Sequence, residues 1–203
     1  TVPGWSTEDN GLLHSRGVDD GFLYVIDGVP VYERLDTLHG FAPDLATVAS
    51  VSVITGYVPP EFGHKAGGVI DVRSSAATTP WRGSGDVTLG SDAAREGSFV
   101  AGGRVAATAR VRAGMTATRS DRFLDPGDPD NLHNTGGQVG TFGELDFSPT
   151  SEDRLATGWG YGQSSFDVPN TIEQEGQGQD QRQRVRQGFL NGTWQRAWSS
   201  ATV

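Results

Sequence analysis

Residues 22–75 read FLYVIDGVPVYERLDTLHGFAPDLATVASVSVITGYVPPEFGHKAGGVIDVRSS. Three runs in this stretch, Phe22–Ile26, Ser50–Thr55 and Val69–Val72, are rich in Val and Ile and bounded by Gly, Pro or Asp. Each reads as a strand. Between the first two, Leu45 and Val48 stand at helical spacing behind Pro43 and Asp44, which suit a helix N-terminus. Asp27-Gly28 is a hairpin pair, because Gly takes positive φ freely and Asp tolerates it. It joins Phe22–Ile26 to Val29–Tyr32. Gly56 to Gly63 is a loop around Pro59-Pro60, and Gly67-Gly68 fits a close backbone approach ahead of the last strand. The stretch is a small α+β unit without a catalytic motif.

The texture changes after Ser74–Pro80 (SSAATTP), which is small, polar and non-periodic. The reading is one unit over 1–75, a linker over 76–80 and a second unit over 81–203. From Trp81 onward, alternation replaces helical periodicity. In Ala109–Arg119 the odd positions are Ala, Val, Ala, Met and Ala, and the even ones carry Arg110, Arg112, Gly114, Thr116 and Thr118. Gln138–Phe147 sets Val139, Leu145 and Phe147 against Gln138, Glu144 and Asp146, with Phe142 breaking the pattern. Arg154–Gln163 sets Leu155, Thr157, Trp159 and Tyr161 against Arg154, Ala156 and glycines. Val185–Trp198, Asp86–Leu89 and Ser98–Val105 alternate less cleanly. These are six strands.

Their connections sort by length. Ala106–Thr108 and Ser148–Asp153 are short; Ser120–Gly136 and Phe166–Arg184 are long and polar; Ser91–Glu96 falls on the long side. Short periplasmic turns and long outer loops mark an outer-membrane barrel, whereas a soluble sandwich has no reason to sort its loops. Trp81, Trp159, Tyr161, Trp194 and Trp198, read as lying near strand ends, fit interfacial girdles.

Composition sets outer bounds. The chain has 203 residues, room for one domain or two small ones, and 29 glycines. No apolar run approaches the ~20 residues of a membrane helix, but barrel strands cross with ~10 each, half of them polar. With no cysteine, disulfide scaffolds and thiolate metal sites are excluded. A net charge of −9 argues against nucleic acid, which needs clustered Lys and Arg.

The blocks Tyr24-Val-Ile-Asp-Gly-Val-Pro30, Val51-Ser-Val-Ile-Thr-Gly56, Glu61-Phe62-Gly63 and Gly67-Gly-Val-Ile-Asp-Val72 carry a resemblance. In order and spacing they resemble the C-terminal half of the plug of TonB-dependent outer-membrane receptors. Arg16-Gly17-Val18 resembles the Arg-Gly step that precedes that half. The likeness covers residues 14–75. Ser52 stands where the family often carries Glu, and Pro59–Gly63 is closer to the large-substrate and adhesin-like branches than to the siderophore branch. The resemblance implies an α+β plug followed by antiparallel transmembrane strands. Plug-motif roles, structural or gating, would fall to Arg16, Gly17, Asp27, Gly28, Gly56, Glu61, Gly63, Gly67 and Gly68. It also implies a receptor in the outer membrane of a Gram-negative-type bacterium, surrounded by outer-membrane lipid. Such a receptor binds a scarce or bulky solute, and a TonB energy-coupling complex pulls on its plug. The segment contacting that complex would precede Thr1, where no signal peptide is visible. Plugged transporters use about 22 strands, so six imply a fragment: an open, curved sheet from an incomplete barrel.

The remaining motifs are weaker. His14, His39, His64 and His133 show no ligand spacing. Asp125-Pro-Gly-Asp-Pro-Asp-Asn131 gathers three carboxylates of the kind calcium takes, but lacks the EF-hand spacing and its terminal Glu; a solvated loop is the plainer reading. Asp125, Asp128, Asp130, Gln174 and Gln177 are candidate solute contacts on the two long connections. The segment Glu173–Gln187 reads as a flexible solvated loop. Gly63–Gly68 lacks the Gly-Lys-Ser/Thr that opens a helix in a phosphate loop. Asn191-Gly-Thr193 is a sequon placed mid-strand. Arg110 and Arg112 would face the lumen, solvated or paired with Asp71 or Glu61. No metal, cofactor or catalytic constellation stands out, so the reading is not an enzyme. The alternatives are a secreted or surface all-β binding module with an α+β cap, or, with no nucleophile motif behind it, a soluble hydrolase.

Overall fold

The computed structural model describes residues 5–7, 13–15, 22–31, 48–60, 62–63, 67–74, 80–124 and 133–198. Trp5–Thr7 (β1) and Leu13–Ser15 (β2) form a two-stranded antiparallel ribbon. Phe22–Ile26 (β3), Val29–Val31 (β4), Val48–Ile54 (β5) and Gly68–Ser74 (β6) form a mixed sheet in the order β4-β3-β6-β5. Its central pair, β3 and β6, is parallel; the outer pairs are antiparallel.

Two of its turns follow from residue chemistry. Asp27 and Gly28 sit at φ 50° and 85°, both positive, the type I′ geometry whose twist matches the strands it joins. Gly68 has φ +146°, and a Cβ there would lie 2.7 Å from the Ile54 carbonyl oxygen. The close approach read at Gly67-Gly68 therefore falls on Gly68, where no side chain fits. Both faces of this sheet carry apolar clusters. Leu23, Val25 and Val69 pack with Ile54, Val58 and Phe62 on one side, and Phe22, Ile70 and Val72 with Tyr24, Ile26 and Val48 on the other. The helix read after Pro43 lies outside the described residues, except that Val48, placed on it by spacing with Leu45, instead opens β5.

The second unit is a meander. Arg82–Leu89 (β7), Arg95–Ala106 (β8), Ala109–Ser120 (β9), Gly136–Phe147 (β10), Asp153–Asp167 (β11) and Arg182–Arg196 (β12) form six antiparallel neighbours in chain order. All six expected strands are present, most of them longer than the alternation marked. The sheet is open: β7 and β12 are its two edges and do not pair with each other.

Three expectations need correction. The β7–β8 connection is a tight turn in which Gly90 N–H donates to Ala94 O (2.9 Å) and Ala94 N–H to Ser91 O (2.8 Å). It lies at the same end as the two long connections, so sorting by length is imperfect there. Asp92 and Ala93 both have positive φ, 53° and 52°. This is a second type I′ turn, hidden because Ala stands where Gly is usual. Secondly, the extra length of β11 leaves Trp159 and Tyr161 at mid-strand, away from the ends. Thirdly, Glu173–Gln187 is not a loop: Ile172–Gly176 forms a helix (α1), and β12 begins at Arg182. The overlooked signal was Thr171-x-x-Gln174, a capping box.

Candidate functional site: two faces of one sheet

Antiparallel register sorts the side chains of β7–β12 into rows on two faces. On the inner face one row runs Val100, Gly114, Phe142, Gly160, Phe189. The Phe142 ring lies across Gly114, where a Cβ would stand 2.5 Å from Cζ. Val31, at the end of β4, packs against Phe142 and Phe189 together with Tyr24 and Ile26. Phe142 breaks the alternation for this reason: it is the inward aromatic that receives the small mixed sheet.

The rows beside it are polar. One holds Gly102, Arg112, Glu144, Gly158 and Asn191. Arg112 is 6% exposed, and its Nη2 donates to Glu144 Oε1 at 2.9 Å. Of the two arginines expected in a lumen, Arg112 is thus neither solvated nor held by Asp71. Asp71 instead accepts from Arg73 on its own strand, at 3.0 and 3.1 Å. Glu61 lies outside the described residues. Arg110 is exposed, directly opposite Asp146, which is paired with Arg154. Asn191 accepts from Gly158 N–H at 2.8 Å, so the sequon's side chain is engaged within the sheet. Toward the loop-bearing end, Gln138 and Ser164 are buried on the inner face.

The outer face is apolar and open. Its rows include Ala109–Phe147–Leu155–Trp194, Val111–Leu145–Thr157, Ala113–Gly143–Trp159–Leu190 and Phe99–Met115–Thr141–Tyr161. Trp159 lies across Gly143, and Trp81 across Gly103, so rings cover glycine backbone on this face too. Leu190 is 80% exposed and Leu145 38%. From Ala109 to Ala117 the strand advances about 27 Å. At a barrel tilt near 40° this spans ~20 Å, comparable to the ~25 Å apolar band of such proteins. At the short-turn end Trp81 Nε1 donates to Arg104 O and Trp194 Nε1 to Asp153 Oδ1, both at 3.0 Å. The Arg196 guanidinium lies over Trp198, 5.2 Å from its centroid. Three tryptophans thus mark that edge.

At the opposite end the two long connections are tied together at their bases. His133 Nε2 is 3.3 Å from Asp180 Oδ1 and 3.2 Å from Gln181 O. Phe123 stacks on Phe166, centroids 5.4 Å apart. The Asn134 side chain accepts from Leu124 N–H and donates to Leu124 O.

Of the candidate solute contacts, Gln174 closes the cap of α1: its Oε1 accepts from Thr171 N–H at 2.8 Å. Gln177 is exposed and donates to Glu173. Asp125, Asp128 and Asp130 lie outside the described residues, as do Arg16 and Gly17. Asp27, Gly28, Gly56, Gly67 and Gly68 line the turns and close approaches of the mixed sheet, and Gly63 is exposed in open space. Ser52 pairs opposite Asp71, where a glutamate would set two carboxylates face to face. Among the described residues no cluster of His, Cys, Asp or Glu could hold a metal.

Solved structures decide the fold. The chain superposes on FpvA of P. aeruginosa, solved with heterologous pyoverdines, with a TM-score of 0.73 at 15% identity over 98% of the chain. The fold is that of the TonB-dependent outer-membrane receptors. The ferric enterobactin receptor PfeA of Pseudomonas aeruginosa matches with TM-score 0.68 at 17% identity over 98% of the chain. The FrpB iron transporter of Neisseria meningitidis matches with TM-score 0.68 at 13% identity over 94%. These are receptors and transporters, not enzymes. The chain spans 29%, 36% and 33% of the three TonB-dependent receptors, respectively. No family model and no curated sequence matches it.

Proposed function

We propose that residues 1–75 are the C-terminal half of a plug, 76–80 a linker, and 81–203 the first six strands of an outer-membrane barrel. The whole would be a receptor that takes up a scarce or bulky solute, with a TonB complex supplying the energy and the outer membrane of a Gram-negative-type bacterium as its site. One observation carries this reading: the six-stranded sheet is inside-out. Its exposed face is apolar over five strands, and its covered face holds Arg112, Glu144 and Gln138 and receives Val31. Such a sheet has lipid on one side and a polar lumen on the other.

In this reading the plug moves because most groups around it are polar and can exchange partners with water. Plug-motif roles, structural or gating, would fall to Arg16, Gly17, Asp27, Gly28, Gly56, Glu61, Gly63, Gly67 and Gly68. The long connections, with Asp125, Asp128, Asp130 and the exposed Gln177, are the solute-facing surface. No bond in the solute is made or broken.

The test is uptake by the full-length natural protein in cells lacking other receptors for the labelled probe. Ferric pyoverdine and ferric enterobactin are the first probes, because structural neighbours bind pyoverdine and enterobactin. Accumulation abolished by a protonophore supports the proposal. Binding without accumulation favours a surface binding or adhesion module. Recovery as a folded monomer without detergent overturns the membrane assignment.

A further inference from the structure

The outer face ends in arginine at the loop-bearing end. Arg95 and Arg119 are direct cross-strand partners, two residue steps beyond the Gly97–Ala117–Val139 row and on the same face as Phe99 and Met115. In register with them across Gly137 and Ser165 comes Arg184, and Arg186 stands one step lower beside Gln163. Period-two alternation puts all four on the face that carries Leu190 and Tyr161.

Like charges directly opposite one another destabilise a strand pair. Among the described residues Arg95, Arg119, Arg184 and Arg186 form no ion pair, although the chain carries a net charge of −9. None of the described carboxylates at this end pairs with these four. Asp167 on this face is held by Arg182 at 3.0 Å. Asp92 belongs to the β7–β8 turn, and Asp121, beyond the end of β9, donates its N–H to Asp92 O. The short-turn end differs: there Arg196 is matched by Glu152 and Asp153, at 3.3 and 3.6 Å. At one rim of the apolar band the arginine is matched by carboxylates, and at the other four guanidinium groups pair with no carboxylate among the described residues. Gln163 Oε1 accepts from Arg186 Nε at 2.9 Å, which orients one of them.

We propose that Arg95, Arg119, Arg184 and Arg186 form a docking rim for the phosphate of net-anionic lipid headgroups in the leaflet on the loop side. The inference rests on the membrane reading of the outer face. The chemistry fits: guanidinium groups present planar, bidentate donors to phosphate, and the small Gly137 and Ser165 leave room between the two arginine pairs.

The full-length natural protein, inserted into vesicles of phosphatidylcholine alone or with a third phosphatidylglycerol, provides the test. Protease protection of the strands first establishes insertion; failure to insert in either vesicle sinks the membrane reading itself. Given insertion, thermal unfolding should come several degrees higher in the anionic vesicles, and the increment should shrink as salt rises. The variant R95Q/R119Q/R184Q/R186Q should insert, keep its midpoint in neutral vesicles and lose most of the increment. Inward Arg104→Gln should retain it. Equal increments in wild type and the fourfold variant overturn the rim, as does an increment reproduced by inorganic phosphate in neutral vesicles.

Discussion

The two sheets use the same residues in opposite senses. In the mixed sheet Leu23, Val25 and Val69 are at most 1% exposed and hold the unit together. In the six-stranded sheet Val87 and Leu190 are 80% exposed, while Arg112, Gln138 and Ser164 are covered. The difference teaches that a strand's alternation reports two environments without saying which is wet. The mixed sheet buries apolar groups from water inside protein. In the proposed membrane reading, the larger one presents them to a solvent that is itself apolar.

This contrast can be broken in graded steps, each measured by denaturant titration of the full-length protein in vesicles. The largest effect is expected inside the small sheet. Leu23→Ala removes a fully covered side chain and should destabilise that unit by about 2–5 kcal/mol, whereas Leu190→Ala should cost about 1 or less. Next comes charge on the outer face: Leu145→Arg should lower stability by about 2–4 kcal/mol if it lies near mid-membrane, and the same change at Val87, nearer the rim, by about 1 or less. Equal penalties would show that no hydrocarbon band exists. Third, Glu144→Gln weakens the charge-assisted bond to covered Arg112. Because Glu144 is about a third exposed, the expected loss is about 1–2 kcal/mol, below the figure for a fully buried pair. The double change with Arg112→Met should recover part of it. The smallest step goes the other way: Ala93→Gly relieves a positive φ and should stabilise the β7–β8 hairpin by about 1 kcal/mol.

Much of this was legible in the residues, for physical reasons. Period-two alternation marks strands regardless of solvent, so Ala109–Arg119 and Gln138–Phe147 were readable almost to their ends. Asp27-Gly28 declared its turn because both residues accept positive φ. Ser91-Asp92-Ala93-Ala94 did not, because Ala93 is held in that conformation by the strands on either side. The Arg112–Glu144 bond was invisible because residues 32 apart meet only through a register that no single strand encodes. Phe142 looked like an error in the pattern until its neighbour Gly114 and the incoming Val31 were placed. The α1 cap was present in the sequence and was lost in a Gln-rich stretch that resembles solvated coil.

In the proposed reading Val31, packed against Phe142 and Phe189, would act as a detent. Dispersion contacts have no preferred angle, so a tug on the small sheet would meet resistance that builds and fades smoothly, then re-engages on return. A wall that grips through a greasy notch and otherwise through exchangeable polar partners can let its contents shift without first being dismantled.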